Sequence, residues 1–215
     1  MVETLDDAAS FYKIGLQLLA SEGMALARAL KARGVQIFLD WKLHDIGATV
    51  EKATAAIVAS GACDFLTVHA EPQVMTAAVR GRGAERSAKI LGVTVLTSLT
   101  ADDLVDIGYG LALEALVERR VRQAIDAGVD GVVTGPREAP LARRIGGPDF
   151  LVLNPGVRPA WASLDDQARP TTPGAALAAG ASHLVCGRPI TAAADPRAAA
   201  LRIVAEMGAE NAVMV

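Results

Sequence analysis

Asp40, Lys42 and Asp45 stand close together in Asp40-Trp41-Lys42-Leu43-His44-Asp45, at the end of an apolar run that begins at Val35. Residues two apart point to the same side of a strand, so Asp40 and Lys42 are expected side by side at a strand's C-terminal end. Opposite charges buried there are costly unless each finds a partner. Asp45 follows in the loop, and Lys13 ends another strand-like segment. An alternating series of ammoniums and carboxylates supplies a charged proton donor together with fixed charges that can stress or stabilise a reacting group. The same residues also suit a structural salt bridge at a strand end, and spacing alone leaves both readings open.

Little else in the composition competes with this cluster. The net charge of −3 and the absence of any Lys/Arg block argue against nucleic-acid binding through a broad basic surface. A small acidic ligand stays open, because a few Arg and Lys residues suffice for a phosphate. No apolar run reaches the roughly 18 residues of a membrane-spanning helix. Cys63 and Cys186 lie far apart in strand-like runs and read as buried thiols. No secretory leader is apparent, and the cytoplasm is the expected location. His44 reads as a supporting or interface residue and His183 as structural, while His69 suits either site support or strand-end packing. No His/Asp/Glu group has metal-ligand spacing, so chemistry without metal or cofactor is expected. Trp41, pointing away from Asp40 and Lys42, is expected to pack between the sheet and a helix.

The elements that must position these residues alternate along the chain. Strands are expected at Ser10–Ile14, Val35–Trp41, Asp64–His69, Ile90–Leu96, Gly131–Thr134, Phe150–Asn154 and His183–Gly187. Apolar residues recur at three- and four-residue steps from Leu16 to Leu30 and from Leu113 to Ile125, which predicts helices. Further helices are expected over Ala48–Ser60, Glu71–Arg82, Pro136–Arg143, Thr172–Ala179 and Pro196–Met207. Gly61-Ala62-Cys63-Asp64 and Gly128-Val129-Asp130-Gly131 look alike, each a helix-ending glycine that leads into a strand. Repeated strand–helix units imply a parallel sheet in a single domain spanning residues 1–215. There is no Gly-x-Gly-x-x-Gly after a strand, and the polar candidates sit after several different strands. That favours a (β/α)8 TIM barrel over a dinucleotide-binding sheet. Residues 1–8 read as the tail of a helix with no strand before Ser10, so the barrel's first strand is expected to be missing.

Five segments, in order, resemble the orotidine 5′-phosphate decarboxylase family, whose barrel is of the ribulose-phosphate-binding type. Phe38-Leu39-Asp40-Trp41-Lys42-Leu43-His44-Asp45-Ile46-Gly47-Ala48-Thr49-Val50 resembles the family's Asp-x-Lys-x-x-Asp signature, and Phe11-Tyr12-Lys13-Ile14-Gly15 its second-strand lysine segment. Val93-Thr94-Val95-Leu96-Thr97-Ser98 is similar to the fifth-strand segment. Asn154-Pro155-Gly156-Val157-Arg158 with Asp165-Asp166-Gln167 resembles the phosphate-side loop, and Val185-Cys186-Gly187-Arg188-Pro189-Ile190-Thr191 the closing one. The resemblance implies decarboxylation of orotidine 5′-phosphate to uridine 5′-phosphate (UMP) in de novo pyrimidine biosynthesis. Lys42 would protonate C6 of the pyrimidine and Asp40 would lie against the departing carboxylate. Lys13 would hold Asp40 and reach the ribose. Asp45, with Ile46 and Thr49, would complete the partner subunit's site in a homodimer. Thr97 would contact the pyrimidine edge and Gln167 would bridge phosphate and base from the loop Arg158–Pro170. Arg158, Arg188 and the backbone at Gly187 would bind substrate, the last two gripping the phosphate.

Two other readings remain in view. Magnesium-dependent sugar-phosphate decarboxylases and aldolases of similar architecture share Asp-x-Lys-x-x-Asp, but they carry an acidic metal ligand where this chain has Lys13. The second is an impaired or inactive barrel that serves only as a dimer partner. The family's first strand ends in an Ala-Leu-Asp segment whose Asp contacts the ribose, and nothing here matches it.

Overall fold

Short apolar runs form the strands, and those starting at Phe65, Lys89, Gly131 and Leu151 bury all but at most one position each, the pattern of a sheet covered on both faces. The computed structural model describes residues 1–84, 86–162, 171–208 and 213–214. It has β1 (Phe11–Gly15), β2 (Gln36–Leu43), β3 (Phe65–His69), β4 (Lys89–Val93), β5 (Gly131–Val133), β6 (Leu151–Asn154) and β7 (His183–Leu184), each within a few residues of its expected place. A two-residue strand, β8 (Val213–Met214), lies outside the expected set. No strand precedes β1 among the described residues: Val2–Leu5 is α-helical and Asp6–Ala8 a turn of 3-10 helix. The strand–helix alternation and parallel pairing are those of the expected (β/α)8 barrel class.

The chain divides into two compact units. One, Phe11–Thr94 with Arg119–Val133, holds β1 to β5, paired in parallel in chain order. Helices Gly23–Lys31, Gly47–Ala59 and Pro72–Arg82 lie between its strands in sequence and bury Ala27, Leu30, Val50, Ile57, Val74 and Met75. Phe11 of β1 and Phe38 of β2 each meet the Phe65 ring of β3 edge-on, with centroids 5.0 and 6.2 Å apart. Two residues further along the same three strands come Lys13, Asp40 and Thr67. A period of two places those polar residues on the same face, one layer above an aromatic floor.

The other end of these strands is anchored by carboxylates. The Asp64 amide donates to Ile37 O at 2.8 Å, its carboxylate accepts Ile37 N at 2.7 Å, and Lys31 Nζ lies 2.9 Å away. Asp130 repeats the device: its amide donates to Ile90 O at 2.9 Å and its carboxylate accepts Ile90 N at 2.8 Å. The partner cation is the buried Arg82, with Lys89 at 3.7 Å on the rim. The glycines that lead into these turns, Gly61 and Gly128, have φ of 64° and 76°, a backbone conformation that a side chain disfavours.

The second unit, Met1–Ser10 with Val95–Glu118 and Thr134–Val215, holds β6, β7 and β8, again paired in parallel. Here Ser182 takes the anchoring place. Its amide donates to Val152 O at 2.8 Å and its hydroxyl accepts Val152 N at 2.9 Å. Arg143, from helix Ala139–Gly146, ties down the chain before β6 by donating to the carbonyls of Gly147, Pro148 and Phe150, and the chain before β7 by donating to that of Gly180. A helix over Ala101–Ile107, absent from the expected set, is closed by a capping box between Thr100 and Asp103.

Candidate active site

The simple alternation expected for Asp40 and Lys42 does not hold along the whole of β2. Leu39 is opposite Leu66 but Leu43 is opposite Val68, so four steps of β2 face two of β3. The extra residues bulge out, and Lys42 takes a φ of 49°, rare for a residue with a side chain. The two side chains still meet, by way of the bulge rather than a flat strand. Trp41, between them in sequence, is buried with its ring edge beside Gly23 at the start of helix Gly23–Lys31, on the helix side as expected.

At the bulge the Lys42 ammonium donates to Asp40 Oδ1 at 2.7 Å, and the Lys13 ammonium lies 3.3 Å from Asp40 Oδ2. Gly15 leaves room for Lys13, since a Cβ there would stand 3.0 Å from its Nζ. The Asp40 side chain is 15% exposed and each lysine's is 30%. Burial pushes the Asp40 carboxyl up, but the Lys13 and Lys42 charges and their hydrogen bonds outweigh it, so its pKa lies below the ordinary carboxylate value. The cluster therefore carries two cations against one anion, poised for an anionic ligand. Lys42 offers a proton and Asp40 a charge that cannot easily be neutralised.

Two residues join this site that sequence reasoning did not single out. Thr67 of β3 accepts the Lys42 amide at 3.0 Å and donates to Asp40 Oδ1 at 3.1 Å. Its one signal in the sequence is that it is polar within the apolar run Phe65-Leu66-Thr67-Val68. Glu71, just before helix Pro72–Arg82, lies 2.9 Å from His44 Nε2, and the His44 and His69 rings sit 4.8 Å apart. Burial pushes the His69 imidazole pKa down; the His44, Arg120 and Lys42 charges act the same way and Glu71 opposes them.

The remaining expected residues fall in different places. Asp45 is exposed, accepts the Ile46 amide at 2.6 Å and stands outside the Lys13–Asp40–Lys42 cluster. Ile46 is 69% exposed, and Thr49 is exposed in the first turn of helix Gly47–Ala59. Thr97 belongs to the second unit, in a cleft lined also by Val117, Thr134, Gly135 and Glu138. Arg158, in the same unit, is buried, with its amide donating to Thr171 O at 2.9 Å. Gly187 and Arg188 are exposed at the start of the short helix Arg188–Thr191. Gln167 lies outside the described residues. Among the described residues, no group of three or more His, Cys, Asp or Glu could hold a metal ion, and no helix is long and apolar enough to cross a membrane.

Comparison with known proteins places this geometry. Residues 1–203 match the family described as orotidine 5′-phosphate decarboxylase / HUMPS. An orotidine 5′-phosphate decarboxylase of Caulobacter sp. (strain K31) is 68% identical over 207 residues, which is 96% of this chain and 90% of that protein. The enzyme of the same name from Caulobacter vibrioides (strain NA1000 / CB15N) is 65% identical over 211 residues, with the same coverage of 96% and 90%. The crystal structure of orotidine 5′-phosphate decarboxylase from Lactobacillus acidophilus superposes with a TM-score of 0.79 at 35% identity, covering 92% of this chain and 86% of that one.

Proposed function

The chain belongs to the orotidine 5′-phosphate decarboxylase / HUMPS family, and on that premise we propose that Lys42, Asp40 and Lys13 carry its reaction without a cofactor. It decarboxylates orotidine 5′-phosphate to UMP, a step of pyrimidine biosynthesis. The bond from C6 to the carboxylate breaks, its electron pair stays on C6, and carbon dioxide leaves. The Lys42 ammonium gives C6 the proton that completes UMP, and solvent then reprotonates the lysine. Asp40, held ionised by its two lysines, sets a negative charge against the departing carboxylate, while the Lys42 cation offsets the charge that develops on C6.

The observation that carries this assignment is the 2.7 Å contact between Lys42 Nζ and Asp40 Oδ1, with Lys13 on the other oxygen. Lys13 thereby puts a cation where the related magnesium-dependent lyases have an acidic ligand. Thr97 and Gln167 contact the base, and Arg158, Gly187 and Arg188 bind the phosphate side of the substrate.

Asp45, Ile46 and Thr49 act across a homodimer interface. Exposure of Ile46 and the position of Asp45 outside its own cluster support that assignment. The phosphorylated substrate and product, charged molecules that do not cross a bilayer unaided, support a cytoplasmic location.

Release of carbon dioxide from carboxyl-labelled orotidine 5′-phosphate tests the whole reading, with turnover expected for the native chain and a residual rate lower by about a thousandfold or more for Lys42→Ala. Mixing Lys42→Ala with Asp45→Asn tests the shared site. Each variant alone is expected to be crippled, while random hybrid dimers regain about a quarter of native activity because half of them hold one intact site. No recovery on mixing would place Asp45 in its own subunit's site.

A further inference from the structure

One hydroxyl closes a ring of hydrogen bonds at the bulge. Thr67 Oγ1 donates to Asp40 Oδ1 at 3.1 Å, Asp40 Oδ1 accepts the Lys42 ammonium at 2.7 Å, and the Lys42 amide donates back to Thr67 Oγ1 at 3.0 Å. A hydroxyl has a single proton and two lone pairs, so a proton committed to Asp40 leaves a lone pair for the amide. Thr67 is fully buried in the middle of β3, and its branched side chain has little rotational freedom. The register shift between Leu39 and Leu43 takes the Lys42 amide out of the regular β2–β3 ladder, and Thr67 is the group that receives it. Lys42 is thus held at two points, its backbone and its ammonium, through the same threonine.

We propose that Thr67 is a positioning residue for the decarboxylation, its hydroxyl setting the left-handed backbone of Lys42 and the carboxylate of Asp40 in register so that the ammonium is aimed at the reacting carbon. The proposal rests on the assignment of Lys42 as proton donor. Thr67 is fully buried and offers a ligand no surface, so its loss is expected to act on turnover rather than on binding. Displacement of a donor by about an ångström lowers rates by roughly a hundredfold.

Thr67→Val keeps the shape and removes the hydroxyl, whereas Thr67→Ser keeps the hydroxyl and removes a methyl. For Thr67→Val, kcat is expected to fall about 10- to 100-fold with KM for orotidine 5′-phosphate within about threefold of native. Thr67→Ser is expected to restore kcat to within about threefold. In a Lys42→Ala background, Thr67→Val is expected to change the residual rate by less than about twofold, since both substitutions break one unit.

A purely structural threonine gives a different result: a lower folded fraction by circular dichroism with native kcat per folded site. Native kcat in Thr67→Val, equal damage from Ser and Val, or multiplying effects in the double variant would each overturn the proposal. If Thr67→Val does not fold, Thr67→Cys places a weaker donor and acceptor at the same point. A fall in kcat at unchanged KM supports the proposal there, and unchanged kcat overturns it. Near-native turnover by Lys42→Ala would instead remove the underlying assignment, an outcome distinct from any shown by the Thr67 variants alone.

Discussion

The two ends of the β1–β5 sheet hold carboxylates in opposite ways. At the N-terminal ends, Asp64 and Asp130 each accept a backbone amide from a neighbouring strand as well as a cation. A backbone amide has nowhere to go, so these carboxylates are fixed parts of the frame. At the C-terminal end, Asp40 accepts two lysine ammoniums and a threonine hydroxyl. Its cations sit on flexible stems, each 30% exposed as Lys31 is at Asp64, whereas the Arg82 side chain at Asp130 is 1% exposed. The anchoring carboxylates clamp main chain as well as a cation, whereas Asp40 holds side chains alone.

Substitutions that break this contrast are expected to separate stability from activity. Lys42→Ala should lower kcat by about a thousandfold or more, the range of a lost general acid, while the chain unfolds near its native denaturant midpoint. Arg82→Ala should do the reverse. It leaves Asp130 enclosed without its main cation, at a cost of about 3 kcal/mol or more in denaturant unfolding, with kcat per folded site unchanged. If Arg82→Ala instead costs activity and little stability, the two ends do not differ as described.

Acid tests the anchors in the second unit. His183 follows the Ser182 anchor, and burial pushes its pKa down to about 4 from an ordinary 6.5. Between those values the unfolded chain binds a proton that the folded chain refuses, so stability falls as pH drops from 6.5 toward 4. One such group gives a slope of at most about 1.4 kcal/mol per pH unit, and His183→Gln should flatten it. Asp40 has the opposite chemistry with the same sign: its depressed pKa keeps its contribution until the pH falls below the ordinary carboxylate range. The smallest effect is expected for Lys31→Ala at the partly exposed Asp64 anchor, about 0.5–1 kcal/mol by the same unfolding measurement.

Much of the frame could be read from the residues because strands and helices write their periods into the chain. β1 to β7 follow from apolar runs, and the likeness of Gly61–Asp64 to Gly128–Gly131 marks the two carboxylate anchors. Helix Ala101–Ile107 has Thr100 and Asp103 at capping-box spacing, but it has few buried apolar positions and gave no periodicity to read. β8 is two residues long, too short for any alternation. Within the site, charges separated by two or three residues were legible. Thr67 was not, because its partners come from another strand and depend on a bulge that no local pattern announces.

The backbone of Lys42 has an evolutionary consequence. A left-handed conformation disfavours any residue with a Cβ by about 1–2 kcal/mol and suits glycine or asparagine. Selection for heat resistance alone, with an uncharged pyrimidine base or nucleoside supplied so that turnover is not required, should therefore drift at this codon toward glycine among the early gains. Retention of lysine there under restored dependence on turnover would show natural selection holding a residue against the preference of its own main chain.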